Sequence, residues 1–145
     1  MTFIRFASDQ YDLPVFAVTD PTYTALGSWI TGDISVHFRV CLDALADVDD
    51  LAKGRPVEPW GSEHYDVAID ANGIRFSNRF VDESGSYSLR DLTEALEEYW
   101  RFLASQPEDP DLVRQYWPDL PRWQAELLLW EQRRERQHPY RGRLF

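Results

Sequence analysis

The chain has 145 residues and a mass of 17.0 kDa, the length of one compact unit, and residues 1–145 read as a single domain. Apolar residues make up 43% and aromatics 14%, too many for a disordered chain. A net charge of -10, from 25 acids against 15 bases, has the wrong sign for phosphate-backbone binding and argues against a nucleic-acid partner.

Cys41 is the only cysteine, so an intrachain disulfide is excluded. The opening residues MTFIRFASDQYDLPVF lack the charged-then-apolar layout of a signal peptide, and no apolar run approaches the ~20 residues of a membrane span. These features together predict a cytoplasmic protein with no membrane partner.

Phe3 to Phe6 and Val15 to Val18 are short apolar runs bounded by Pro or Asp, and both read as strands. From Asp33 to Leu42 the apolar Ile34, Val36, Phe38, Val40 and Leu42 alternate with Asp33, Ser35, His37, Arg39 and Cys41, which predicts a half-buried strand. Asp43 to Lys53 reads either as a short helix, with Leu42, Leu45 and Val48 inward and Gly54 as terminator, or as an acidic loop. Arg55 to Glu63 carries Pro56, Pro59 and Gly61 around Trp60, the signature of a connecting loop and the segment expected to move most.

His64 to Phe80 reads as a hairpin around a two-residue Asn72-Gly73 turn. Placing Ala71 opposite Ile74 pairs Ile69 with Phe76, Val67 with Asn78 and Tyr65 with Phe80. On the other face the same register sets Asp70 against Arg75 and Asp66 against Arg79.

The second half has helical spacing. Ser88 is an N-cap with Asp91 three residues on, followed by the stripe Leu89, Leu92, Leu96, Tyr99 and Leu103, ending near Ser105. Asp109-Pro110 predicts a short helix through Tyr116, halted by Pro118. Asp119-Leu120-Pro121 opens a third helix with Leu120, Trp123, Leu127 and Trp130 on one face and Arg133, Arg134 and Arg136 near its end. Residues 1–86 are thus expected to be mainly strands, 87–138 mainly helices and 139–145 a tail. The fold expected is α+β, an antiparallel sheet from the N-terminal half covered on one face by the C-terminal helices.

Signatures of chemistry are scarce. The chain has no GxxxxGK[ST], GxGxxG, GxSxG or HExxH motif, and three scattered His with one Cys give no zinc spacing. On a strand, His37 and Cys41 stand about 13 Å apart, beyond the reach of a nucleophile and its base. Asp47, Asp49 and Asp50 lack the Gly and Glu offsets of a calcium loop. The reading is a non-enzyme without metal or cofactor.

Charge layout is more informative. On a helix, Asp43, Asp47 and Asp50 fall at i, i+4 and i+7 and make an acidic stripe, and Glu94, Glu97 and Glu98 line the polar face of the first long helix. Trp60, beside Glu58 and Glu63, sits where an interface anchor would sit, or else folds back as a lid on the sheet. Taken singly, each of these acids reads first as ordinary solvated surface, and it is the net charge of the whole chain that favours a docking face for a basic partner. From Arg133 to Arg143 the arginines suit helix-end compensation, with a tail that packs Leu144 and Phe145 or meets the acidic surface of a second copy.

The segment YDVAIDANGIRFSNRF followed by YSLRDLTEALEEYW, a strand hairpin leading into a helix, together with the acidic, Trp-rich profile of the whole chain, resembles the immunity proteins of bacterial polymorphic-toxin and contact-dependent inhibition systems. The resemblance implies a stoichiometric inhibitor that binds a cognate basic toxin, often a nuclease, and blocks its active site. The expected binding residues are Asp43, Asp47, Asp50, Trp60, Glu63, Glu94, Glu97 and Glu98. The alternatives are a self-assembling structural or regulatory protein, possible as a homodimer, and a ligand-binding protein with a pocket between sheet and helices near His64 and Tyr65.

Overall fold

The computed structural model describes residues 2–145, and its fold is α+β with every strand pair antiparallel. The strands form two sheets where one was expected. β1 (Ile4–Ser8) and β2 (Pro14–Val18) make a hairpin in which Ile4 faces Val18 and Ser8 faces Pro14. The Asp9 carboxylate holds its turn by accepting the backbone N–H groups of Tyr11 and Leu13 at 2.8 and 3.0 Å. β3 (Tyr65–Asp70), β4 (Gly73–Asn78) and β5 (Ser84–Tyr87) form the second sheet in that order. The sequence reading had no counterpart to β5.

The N-terminal half is also more helical than expected. Asp20 and Pro21 start a 3-10 turn, where the Asp20 carboxylate accepts the Thr22 N–H at 2.9 Å, and α1 (Thr24–Trp29) follows. A wider π turn over Ile30–Ile34 ends at Ser35, whose φ is +49°. Then comes α2 (Phe38–Ala52), which replaces the strand expected over Asp33 to Leu42. That window contains two periods at once. Ile34, Phe38 and Leu42 fit an alternation of two, but Phe38, Cys41, Leu42, Leu45 and Val48 are the positions that are buried, and their spacing is helical. Val36, which a strand would have buried, is exposed. The helix reading of Asp43 to Lys53 holds as the C-terminal part of α2, and Gly54 follows it at φ +78°.

In the β3–β4 hairpin the register differs by two residues from the expected one. Asp70 faces Gly73 across Ala71 and Asn72, Val67 faces Phe76, and Tyr65 faces Asn78. A slip of two keeps every side chain on its face, so Tyr65, Ile74 and Phe76 are buried as the alternation predicts. Arg79 still reaches Asp66 diagonally, Nε to Oδ1 at 2.9 Å, whereas Arg75 faces Ala68. Phe80 leaves the strand and is exposed. Gly73 has φ +141°, and a Cβ there would collide with the Tyr87 carbonyl of β5, so the glycine serves the close approach of the third strand as well as the turn.

α3 (Leu89–Ser105) begins as expected, with the Ser88 hydroxyl accepting the Asp91 N–H at 3.0 Å. Leu92, Leu96, Tyr99, Trp100 and Leu103 are buried on one face, each contributing about 1.5–3 kcal/mol. The helix expected after Asp109-Pro110 is absent: the Asp109 carboxylate caps a turn by accepting the Asp111 N–H at 2.9 Å, and Leu112 and Val113 point to solvent with nothing to pack on. α4 (Arg122–Arg134) starts at Pro121 and ends at Glu135, which adopts φ +52°. It buries Ala125, Leu127 and Trp130.

One apolar cluster runs from Ile4 through α1, α2, β4 and α3 to Trp130 and Tyr140. Gly27 of α1 lies under the Phe16 ring so closely that a Cβ there would fall well inside 3.0 Å, which fixes β2 onto α1.

Candidate functional site

Helical geometry does place Asp43, Asp47 and Asp50 on one face of α2, close enough for Asp43 and Asp50 to disfavour ionisation of Asp47. Each already has a partner within the chain. Asp43 accepts the Trp130 indole N–H at 2.8 Å and pairs with Arg134. Asp50 pairs with Arg136 at 3.3 Å and Arg55 at 3.5 Å. Asp47 accepts the Trp60 indole N–H at 2.8 Å, and burial pushes its carboxyl up from the usual range. Asp49, which the sequence reading passed over as a partner residue, is the buried member of the group and holds Lys53 at 2.7 Å and Arg143 at 2.8 Å. Those two cations bring its carboxyl below the usual range despite burial, the largest single influence on it.

The tail therefore folds onto its own α2. His138 is 1% exposed, its Nε2 lies 2.9 Å from the Leu42 carbonyl, and its Nδ1 accepts the Tyr140 N–H at 3.1 Å. A nitrogen that accepts carries no proton, so the ring is neutral with its hydrogen on Nε2. The ring packs on Trp130, Tyr140 and Phe145. Of the readings of the Arg-rich end, the packed tail is the one seen: Leu144 and Phe145 lie against the core, and Arg134, Arg136 and Arg143 meet Asp43, Asp50 and Asp49 of the same chain.

Trp60 folds back. Its ring stacks on Trp29 at 5.1 Å and 10°, and Ser62 ties the same loop to Asp33 at 2.6 Å. Of the two readings of this loop tryptophan, interface anchor or folded-back lid, the structure shows the lid. Glu63 is exposed. On α3, Glu97 accepts the Tyr140 hydroxyl at 3.2 Å, Glu98 pairs with Arg101 at 3.3 Å, and Glu94 is exposed with no cation within 4.0 Å among the described residues. Glu94 joins Asp20 and Asp91 near the Tyr23 hydroxyl, which desolvation and these carboxylates hold above its usual pKa. Of the expected binding residues, Glu63 and Glu94 are exposed, and Asp43, Asp47, Asp50, Trp60, Glu97 and Glu98 are half-buried with partners inside the chain.

His37 and Cys41 are one helical turn apart, so the strand-spacing argument against their pairing falls. The chemistry is still unfavourable: His37 is exposed, whereas the Cys41 thiol is fully buried and pushed up by desolvation, away from the nucleophilic thiolate. No group of three or more His, Cys, Asp or Glu among the described residues is arranged to hold a metal ion. No described helix is long and apolar enough to cross a membrane. The Tyr65 hydroxyl, near which a ligand pocket was expected, is taken up by Glu83, and burial followed by this carboxylate raises its pKa to about 12.

The feature the sequence reading missed is a groove of about 510 Å³ between the β1–β2 turn, Val36, the end of α3 and the start of α4. Its apolar lining comes from Phe38, Phe102, Leu103 and Trp123. Its charged lining is Asp12, Glu108 and Asp109 against Arg122. Exposed large apolar residues gather on the two loops that flank it: Tyr11 (73%) and Leu13 on one, Leu112 (74%), Val113 (82%) and Trp117 on the other. The signal in the sequence was apolar residues without period inside a Pro- and Asp-rich stretch, 107–121, which the helix expectation absorbed.

The chain matches no protein-family description, no curated protein and no solved structure.

Proposed function

We propose that this protein is a non-catalytic inhibitor of the immunity kind, which binds a basic toxin domain and masks its working surface. The observation that supports this most is the groove, an acid-lined apolar cleft with exposed hydrophobic residues on both flanking loops. Contiguous exposed apolar surface with a polar rim is characteristic of protein-binding sites. The net charge of -10 supplies long-range attraction for a cationic partner and speeds encounter. In this reading the protein works in the cytoplasm, needs no cofactor or metal, and meets neither nucleic acid nor membrane.

The test is capture of a basic protein on the tagged chain from lysate of its own source, with parallel washes at low and high salt, followed by titration of that protein's toxic activity. Retention near one to one, release by salt and loss of activity at one equivalent are expected. Recovery of the bait alone, or a captured protein whose activity survives excess chain, overturns the proposal.

A further inference from the structure

We propose that the groove receives one aromatic side chain of the partner, carried in a segment with arginines on either side of it. This rests on the inhibitor reading and specifies its docking chemistry.

The floor suits a ring. Phe38 is held edge-on to the buried Trp100 at 5.6 Å and 90°, so its orientation is fixed by the core, and Phe102 and Trp123 are half-buried beside the same cleft. A ring entering here meets the half-buried Phe102 and Trp123, because Phe38 is buried beneath them and contributes shape more than open surface. The floor also accepts a guanidinium already, because Arg122 lies over the Phe38 ring with its Cζ 5.0 Å from the centroid. The rim is acidic. Glu108 is taken by Arg114 at 2.5 Å, while Asp12 and Asp109 line the groove with no cation within 4.0 Å among the described residues. An aromatic ring with guanidinium groups beside it answers both halves of this surface, and Trp, Tyr and Arg are the side chains that dominate binding energy at interfaces.

Two other occupants fit less well. The volume is in the ~300–1,000 Å³ range of small-molecule sites, but the loops whose residues Asp12 and Asp109 line the groove also carry the exposed Tyr11, Leu13, Leu112 and Val113, which lie outside the lining and which a small molecule in the groove would leave uncovered. A second copy brings the same charge of -10, and the tail arginines it would offer are engaged in its own ion pairs.

The experiment uses the full chain, labelled with nitrogen-15, and three unlabelled synthetic peptides: a Trp between two pairs of Arg, the same with Ala for Trp, and a Trp between two pairs of Glu. The six indole N–H signals of the chain report the site directly. The Arg-Trp peptide is expected to shift the Trp123 indole and leave Trp29 and Trp130 in place. The Ala peptide should bind about thirtyfold more weakly, equivalent to ~2 kcal/mol, and the Glu peptide should not bind. Val36→Lys, on the exposed margin, should abolish binding. The double change Asp12→Asn and Asp109→Asn, which retains turn-compatible side chains, should flatten its salt dependence, with circular dichroism confirming the fold of each variant.

Shifts at Trp60 in place of Trp123, equal affinity for the Arg-Trp and Ala peptides, or binding unaffected by Val36→Lys would each overturn the inference. So would a concentration-dependent dimer that Val36→Lys dissolves. If the groove variants still capture and neutralise a basic protein at one equivalent, the docking assignment fails and the inhibitor reading stands. If no basic protein is captured while the peptide results hold, the inhibitor reading fails on its own.

Discussion

Replacing His138 with Gln should remove a stability loss that the native chain undergoes on mild acidification. Burial holds the His138 imidazole below its usual pKa, outweighing the Leu42 hydrogen bond and the carboxylates of Glu131 and Asp49, which favour the cation, while Arg136 opposes it. Protonation would place a hydrogen on Nδ1, where the Tyr140 N–H now donates at 3.1 Å, and would put a charge among Trp130, Tyr140 and Phe145. The folded state therefore resists a proton that the unfolded chain takes up near pH 6.5. With more protons bound when unfolded, stability rises with pH, and this contribution is lost as pH falls below the unfolded pKa, with a slope of up to ~1.4 kcal/mol per pH unit.

The assay is urea unfolding of the native protein and of His138→Gln at intervals between about pH 7.5 and 5.5, above the range where carboxylates titrate. The exposed His37 and His64 are common to both proteins and cancel in the difference. The variant should be less stable by about 1–3 kcal/mol at the upper end, the cost of disturbing a buried hydrogen-bonded group, and the gap should narrow steadily toward pH 5.5. A constant gap would show that the imidazole does not resist protonation. A gap that widens on acidification would show a folded-state cation stabilised by Asp49 and Glu131 in place of a neutral buried ring.

Gly27→Ala should destabilise the protein by about 1–3 kcal/mol through overpacking against Phe16, and a double-mutant cycle with Phe16→Leu should recover part of that loss. Trp60→Phe keeps the stack on Trp29 but removes the 2.8 Å bond to Asp47, and should cost about 0.5–1.5 kcal/mol in thermal or urea unfolding without changing partner affinity. Leu112→Ser with Val113→Ser should leave stability within about 0.5 kcal/mol, because both side chains face solvent, while weakening partner capture. Cys41 should react with a disulfide reagent only at the rate of global or local opening, so that urea below the unfolding midpoint accelerates labelling; immediate labelling of native protein would contradict its burial.

What the sequence made legible was the structure specified by neighbouring residues. The Ser88 cap, the α3 stripe, the two N-terminal strands and the faces of the β3–β4 hairpin all follow from spacing within a few residues, and the fold class follows from them. Asp33 to Leu42 failed because a ten-residue window satisfied two periods, and the buried continuation through Leu45 and Val48 decided between them. The hairpin slipped because Gly73 answers to the Tyr87 carbonyl of a strand that no local pattern announced. The acidic stripe was placed correctly on α2, but pairing with residues some ninety positions away determines whether those charges are open, and sequence spacing does not show such contacts. The groove was illegible for the same reason, since its walls come from four separate parts of the chain.

The docking of the last eleven residues on α2 also orders events as the chain folds. Closing the loop between Leu42 and His138 carries the entropy cost of a long-range contact, and such contacts form late. Until then the Trp130 ring lacks its cover of His138, and Asp49 has Lys53 but not Arg143. The nascent helix α2 is in that interval an amphipathic segment whose acidic face is compensated only by Lys53 and Arg55, and the charge left over repels other copies of the same unfinished chain while its apolar face is still exposed to aggregation.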